Sequence, residues 1–144
     1  MRQLSLFDKS FALAGVLPGV KAAMRRIVGE DGECRKGFVD KLNAVALEEQ
    51  IPLTGGNVKA LSLDMLNKIL SPSDVSHPPS FLFILAFCKA ARNYEPLRVG
   101  VRAVGFDLMT EEERLVCELH RADKEERAAK LKKKAIIKLL EDRL

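Results

Sequence analysis

Phe81 to Cys88 is a run of eight residues with no polar side chain, and a proline-rich turn, Ser71 to Pro79, leads straight into it. A stretch that is apolar all round belongs in the centre of a helical bundle rather than on its surface. It is too short to span a bilayer, which takes about 20 such residues. Pro78 and Pro79 suit the first turn of a helix, where the missing N–H is not needed. The pattern predicts a central helix running to about Arg92, with the other segments packed around it.

Composition agrees with a helical body. Of the 144 residues 47% are hydrophobic, enough for one domain's core, and there is no Trp and one Tyr. Such a mixture, rich in Leu, Ala, Lys and Glu, favours helices over strands. The net charge of +4 and pI near 9.1 are compatible with nucleic acid without requiring it. Cys34, Cys88 and Cys117 are an odd, widely spaced set and read as reduced thiols. Residues 1–8 hold one Arg and one Asp and no long apolar core, so no signal peptide is expected, and neither is a membrane.

Periodicity places the elements. Pro18-Gly19 opens a first helix with Val20, Met24, Ile27 and Val28 on its inner face and Lys21, Arg25 and Arg26 on the outer, closed by Gly29 and Gly32. A second helix spans about 35–50, with Phe38, Leu42, Val45 and Ala46 inward, and stops at Pro52. A loop follows through Gly55-Gly56-Asn57. Ser62 caps a short third helix to Leu70, with Leu63, Leu66, Ile69 and Leu70 inward and Asp64, Asn67 and Lys68 outward. After the central helix, Glu95-Pro96 starts a fifth, with Leu97, Val101 and Val104 inward, Arg98 and Arg102 outward, and Gly105 at its end. Thr110 and Glu113 form a capping box, beyond which no Gly or Pro interrupts the chain.

That last helix has an apolar stripe at Leu115, Leu119 and Ala122 and another at Ile136, Ile137 and Leu140, separated by a charged stretch. These residues are expected to be covered, most simply by a second copy in a homodimer. The Lys132–Lys134 run reads as a solvated face near a helix C-terminus, where cations are favoured, with a nucleic-acid contact as the alternative.

The chain lacks the patterns of an enzyme. There is no nucleophile elbow, phosphate loop or dinucleotide fingerprint. Cys117 and His120 share a helical face but have no second Cys/His pair at ligand spacing, so neither metal nor cofactor is expected. His77 reads as a cap for the central helix.

Two resemblances bear on function. Gln3-Leu4-Ser5-Leu6-Phe7 resembles the peptide by which bacterial proteins dock on the DNA polymerase sliding clamp. The resemblance implies a Gln at the pocket rim and a Leu-Phe pair in a hydrophobic pocket; the alternative is that Leu4, Leu6 and Phe7 pack on the domain. The segment from Met65 to Arg98 resembles small regulators encoded by Mu-like transposable phages and prophages, degenerate members of the repressor-type helix-turn-helix group. Ser71, Ser73, His77, Pro79, Ala86, Phe87, Cys88, Lys89, Pro96, Leu97 and Arg98 carry that likeness.

The implied fold is all-α: a tail over 1–15, a compact five-helix, repressor-like bundle with a helix-turn-helix-like pair over 16–108, and a long C-terminal helix over 109–144. The implied function is a non-enzymatic transcription regulator in the cytoplasm of a bacterial host cell. Duplex DNA would be met by Lys59, Ser62, Asp64, Asn67, Lys68 and Ser71. Ile51 to Leu61 is longer than the usual turn of about three or four residues, and the short helix has no Arg for guanine. The alternative is an adaptor or inhibitor of the sliding clamp or replication machinery that does not itself bind DNA.

Overall fold

The computed structural model describes residues 13–55 and 60–144, and all regular structure among them is helical. The helices are α1 (Val16–Val28), α2 (Gly32–Glu49), α3 (Leu63–Leu70), α4 (Phe81–Ala91), α5 (Glu95–Ala103) and α6 (Glu111–Arg143). The chain divides between Asp107 and Leu108 into two units, the first holding α1 to α5 and the second α6.

Local signals account for most boundaries. Ser62, Ser80 and Thr110 each accept a hydrogen bond from the backbone N–H three residues on, as N-caps do. Asp31 caps α2 by accepting from Glu33 N–H at 3.2 Å. Gly32 therefore opens α2 rather than closing α1. Gly29 alone ends α1, at φ 69° and ψ −167°, a region that only glycine enters freely. Pro18 does not start α1. It lies in the first turn of a helix that begins at Val16, where its absent N–H would have no partner.

Met24, Leu42, Leu66, Leu70, Phe83 and Phe87 are fully buried. The Phe38 and Phe87 rings pack at 4.7 Å between centroids, tilted by 59°. Phe83 lies 6.3 Å from Phe87. Each aromatic side chain so buried contributes about 1.5–3 kcal/mol. α1 packs closely on α5: a Cβ on Gly19 would sit 3.0 Å from Val99 Cγ1.

α4 is not enclosed on all sides. Phe83, Ala86 and Phe87 are buried and Cys88 is half-buried, but Phe81 is 66% exposed and Leu82 42%. α2 and α5 cover two sides of α4, and the four other short helices of the body are too little material to surround it. The exposed faces also differ in detail from the periodic pattern. Val104 ends α5 and is 60% exposed. Arg98 folds back, its Nε and Nη2 donating to Asp107 Oδ1 and Oδ2 at 2.8 and 3.3 Å, with the guanidinium 5.6 Å from the Tyr94 ring centroid.

The long connection from α2 to α3 is pinned by one side chain. Asn43 Nδ2 donates to the Leu61 carbonyl at 3.0 Å, and Leu61 N–H donates to Asn43 Oδ1 at 2.8 Å. Leu53 and Leu61 are buried on either side of the loop. A stretch too long for a helix-turn-helix turn is thus anchored at both ends to the body.

α6 is one uninterrupted helix with the Thr110–Glu113 capping box in place and no buried residue. Arg114 bonds Glu111 and Glu118 along its first turns, and Lys130 Nζ lies 3.1 Å from Glu126.

Candidate nucleic-acid interface

α3 is an eight-residue amphipathic helix. Leu66, Ile69 and Leu70 are buried, Asp64, Asn67 and Lys68 are exposed along one side, and the N-cap Ser62 is exposed at its start. Ser71 follows at the C-terminal end, half-exposed, with its hydroxyl 3.1 Å from that of Ser73. Of the six residues expected to meet DNA, Asp64, Asn67, Lys68 and Ser71 therefore border one hollow, Ser62 is exposed at the N-terminal end of α3 as its cap, and Lys59 falls outside the described residues. So do Gln3, Leu4, Ser5, Leu6 and Phe7 of the clamp-like peptide.

Two side chains of the edge are held by charged neighbours. Arg35, on the first turns of α2, donates from Nη1 to Asn67 Oδ1 at 2.9 Å and from Nε to the Gly29 carbonyl at 2.8 Å. This leaves the Asn67 amide donors and a second lone pair directed away from Arg35. Lys68 Nζ is 3.2 Å from Asp64 Oδ2, one turn back on the same helix. The pair is exposed, so it is worth only about 0.3–0.5 kcal/mol and opens readily to a competing anion.

The C-terminal end of α3 rests on α1. Arg25 Nη1 donates to the Leu70 carbonyl at 2.8 Å. Lys21 Nζ donates to the Ser71 carbonyl at 3.1 Å and the Asp74 carbonyl at 2.6 Å, and Lys21 is only 4% exposed. The expectation that Lys21 and Arg25 face water is corrected: both turn in, because the last carbonyls of a helix lack intrahelical partners and favour a cation.

The turn between α3 and α4 is built on Asp74. Its Oδ1 accepts from Ser76 N–H at 2.9 Å and His77 N–H at 3.0 Å, and the His77 ring nitrogen Nδ1 lies 3.0 Å from both carboxylate oxygens. The bond to the His77 ring, then those from the two amides, holds the Asp74 carboxyl below the usual carboxylate range. His77 thus closes the turn, and Ser80 caps α4 in its place. Between the turn and α3 is an open polar hollow of 490 Å³, lined by Asp64, Asn67, Lys68, Ser71, Ser73 and Ser76 among others.

Comparison with models of protein families, with curated proteins and with solved structures finds no match in any of the three.

Among the described residues no group of three or more His, Cys, Asp or Glu side chains is placed to hold a metal ion. No described helix is long and apolar enough to cross a membrane. Cys34 and Cys117 are exposed thiols, and burial raises the pKa of Cys88.

Sequence patterning did not find Arg35, because its partner Asn67 lies 32 positions away and neither residue belongs to an apolar stripe. Lys21 and Arg25 did leave a signal. They are four apart and directly follow the buried positions Val20 and Met24, which sets them at the margin of the core.

Proposed function

We propose that the chain is a non-enzymatic regulatory protein that meets duplex DNA along the edge formed by α3 and Arg35. The observation that carries this is the Arg35–Asn67 hydrogen bond, which sets a guanidinium from α2 beside a carboxamide on the exposed side of α3. Asn pairs bidentately with adenine, and Arg with guanine or a backbone phosphate. Ser71 and Ser73 on the adjoining turn offer hydroxyls to phosphate oxygens. Lys68 joins them when its weak pair with Asp64 opens. The likeness of Met65–Arg98 to phage and prophage regulators supports the same conclusion.

A gel shift with duplex DNA at two salt concentrations tests it. Retardation at low salt that weakens steeply at high salt is expected. Asn67→Ala and Arg35→Ala should each weaken it by on the order of tenfold or more, at about 1–3 kcal/mol per base contact. Absence of any shift at low salt refutes DNA binding.

A second reading is an adaptor for the replication machinery that leaves DNA to its partner. It is favoured by the Asp64–Lys68 pair, which cancels the charge on the outer face of α3. The docking peptide would be Gln3–Phe7, the segment that resembles clamp ligands. Recovery of the sliding clamp from a bacterial lysate by the full chain, lost in a Leu6→Ala, Phe7→Ala variant of unchanged helicity, is the expected result. Equal recovery by both removes the peptide from consideration.

A further inference from the structure

α6 carries two exposed apolar clusters, one near each end. Leu115, Val116 and Leu119 form the first and Ile136, Ile137 and Leu140 the second, each residue 44% to 62% exposed. Charge divides the helix in the same way. Residues 111–127 hold seven acidic and four basic side chains, and residues 128–143 hold two acidic and six basic. With no Gly or Pro between Glu111 and Arg143, the helix cannot fold back to join its own clusters.

We propose that α6 pairs with α6 of a second copy of this chain in antiparallel orientation, with Leu115 level with Leu140 of the second copy. The pairing is independent of whether α3 meets DNA.

The seam itself selects the direction. Alternating steps of four and three run through Leu115, Leu119, Ala122, Glu126, Ala129, Lys133, Ile136 and Leu140. A parallel pair in register sets Glu126 against Glu126 and Lys133 against Lys133 inside the seam. The antiparallel pair removes both clashes. Leu115 meets Leu140, Leu119 meets Ile136, Ala122 meets Lys133, and Glu126 meets Ala129. Each small alanine leaves room for the long side chain across from it, and Lys133 lies about 6 Å along the axis from Glu126 of the second copy.

The flanking positions agree. In this register Val116 faces Ile137 of the second copy, Asp123 faces Lys130, and Glu125 faces Lys132. A parallel pair instead brings Glu118 toward Asp123. Within one chain Lys130 bridges Glu126 at 3.1 Å, and such an exposed pair exchanges partners at little cost. The acidic half of each helix therefore lies on the basic half of the other.

Spin labels in the full chain test the direction. Cys117 is exposed and points away from the seam; Cys34→Ser and Cys88→Ala leave it as the sole label site. A companion variant adds Cys117→Ser and Arg127→Cys. In the antiparallel pair two labels at position 117 are about 30 Å apart along the axis, while two at position 127 are nearly level. A long distance at 117 with a short one at 127 is the expected result. Short distances at both positions mean a parallel pair and overturn the proposal. A monomer by sedimentation, with no dipolar signal at either site, overturns it too, including the case in which α6 serves a different protein. Ile136→Asp, exposed in the single chain and so harmless to its fold, should raise the dimer dissociation constant by on the order of 100-fold.

Discussion

Lys21 reaches from α1 to the Asp74 carbonyl at 2.6 Å, with its ammonium almost wholly removed from water. The same nitrogen donates to the Ser71 carbonyl at 3.1 Å. One cation thereby ties the first helix of the body to the turn that follows α3, and fixes where the exposed edge of α3 stands.

Lys21→Met keeps the apolar stem and removes the donor. The Asp74 carbonyl loses the Lys21 donor and the Ser71 carbonyl keeps only the 3.4 Å bond from Asp74 N–H, so stability should fall by about 1–3 kcal/mol. Urea denaturation measures the loss. If position 21 were only packing, the midpoint would not move.

Asn43→Ala should cost a similar amount, about 1–3 kcal/mol, because it leaves the half-buried N–H and C=O of Leu61 unpaired. The effect should be local as well as global. Hydrogen exchange at the Leu61 amide should accelerate in the variant, while amides within α1 exchange in step with global unfolding.

Two neighbouring glycines should behave in opposite ways. Gly29 ends α1 at positive φ, so Gly29→Ala should destabilise by about 1–3 kcal/mol through backbone strain alone, since nothing lies near the added Cβ. Gly32 begins α2 in open space, and Gly32→Ala should be neutral or stabilise by up to about 1 kcal/mol. Thermal melts of the two variants give the comparison.

Asp74 sets an acid limit on the turn. Its folded pKa is depressed below the ordinary value of about 3.9 by the His77 ring and two amides. Its contribution is therefore complete above the unfolded pKa and is lost as pH falls through the folded one. Stability measured by urea between about pH 2 and pH 6 should drop at the acid end, and Asp74→Asn should flatten that drop. A slope unchanged by the substitution would assign the acid limit to other carboxylates.

Much of this architecture could be read in advance. The caps at Ser62 and Thr110, the inward Leu66, Ile69 and Leu70, the outward Asp64, Asn67 and Lys68, and the unbroken α6 all follow from short-range patterns. Each depends on residues within one or two turns, where capping geometry and helical period decide the outcome. Of the six candidate DNA-contact residues, Asp64, Asn67 and Lys68 were set outward by that period.

Local signals put Pro18, Gly32 and His77 at the wrong helix ends, whereas the misplaced faces share a long-range cause. Periodicity reports that Phe81–Cys88 is apolar on every side, but how many neighbours arrive to cover it depends on how α2 and α5 pack. Hence Phe81 and Leu82 meet water. In the same way Lys21 and Arg25 look like a solvent face until the end of α3 is laid against them, and Arg35 has no assigned role until Asn67 is beside it.

Helix extent and capping were thus settled by the chain's local order, since those free energies arise between residues a few positions apart. Which cations turn inward, which end of α3 they hold and which side of α4 stays open came from assembly. Those free energies arise between groups tens of residues apart, where an ammonium leaves water only because folding brings it carbonyl partners for charge-assisted hydrogen bonds.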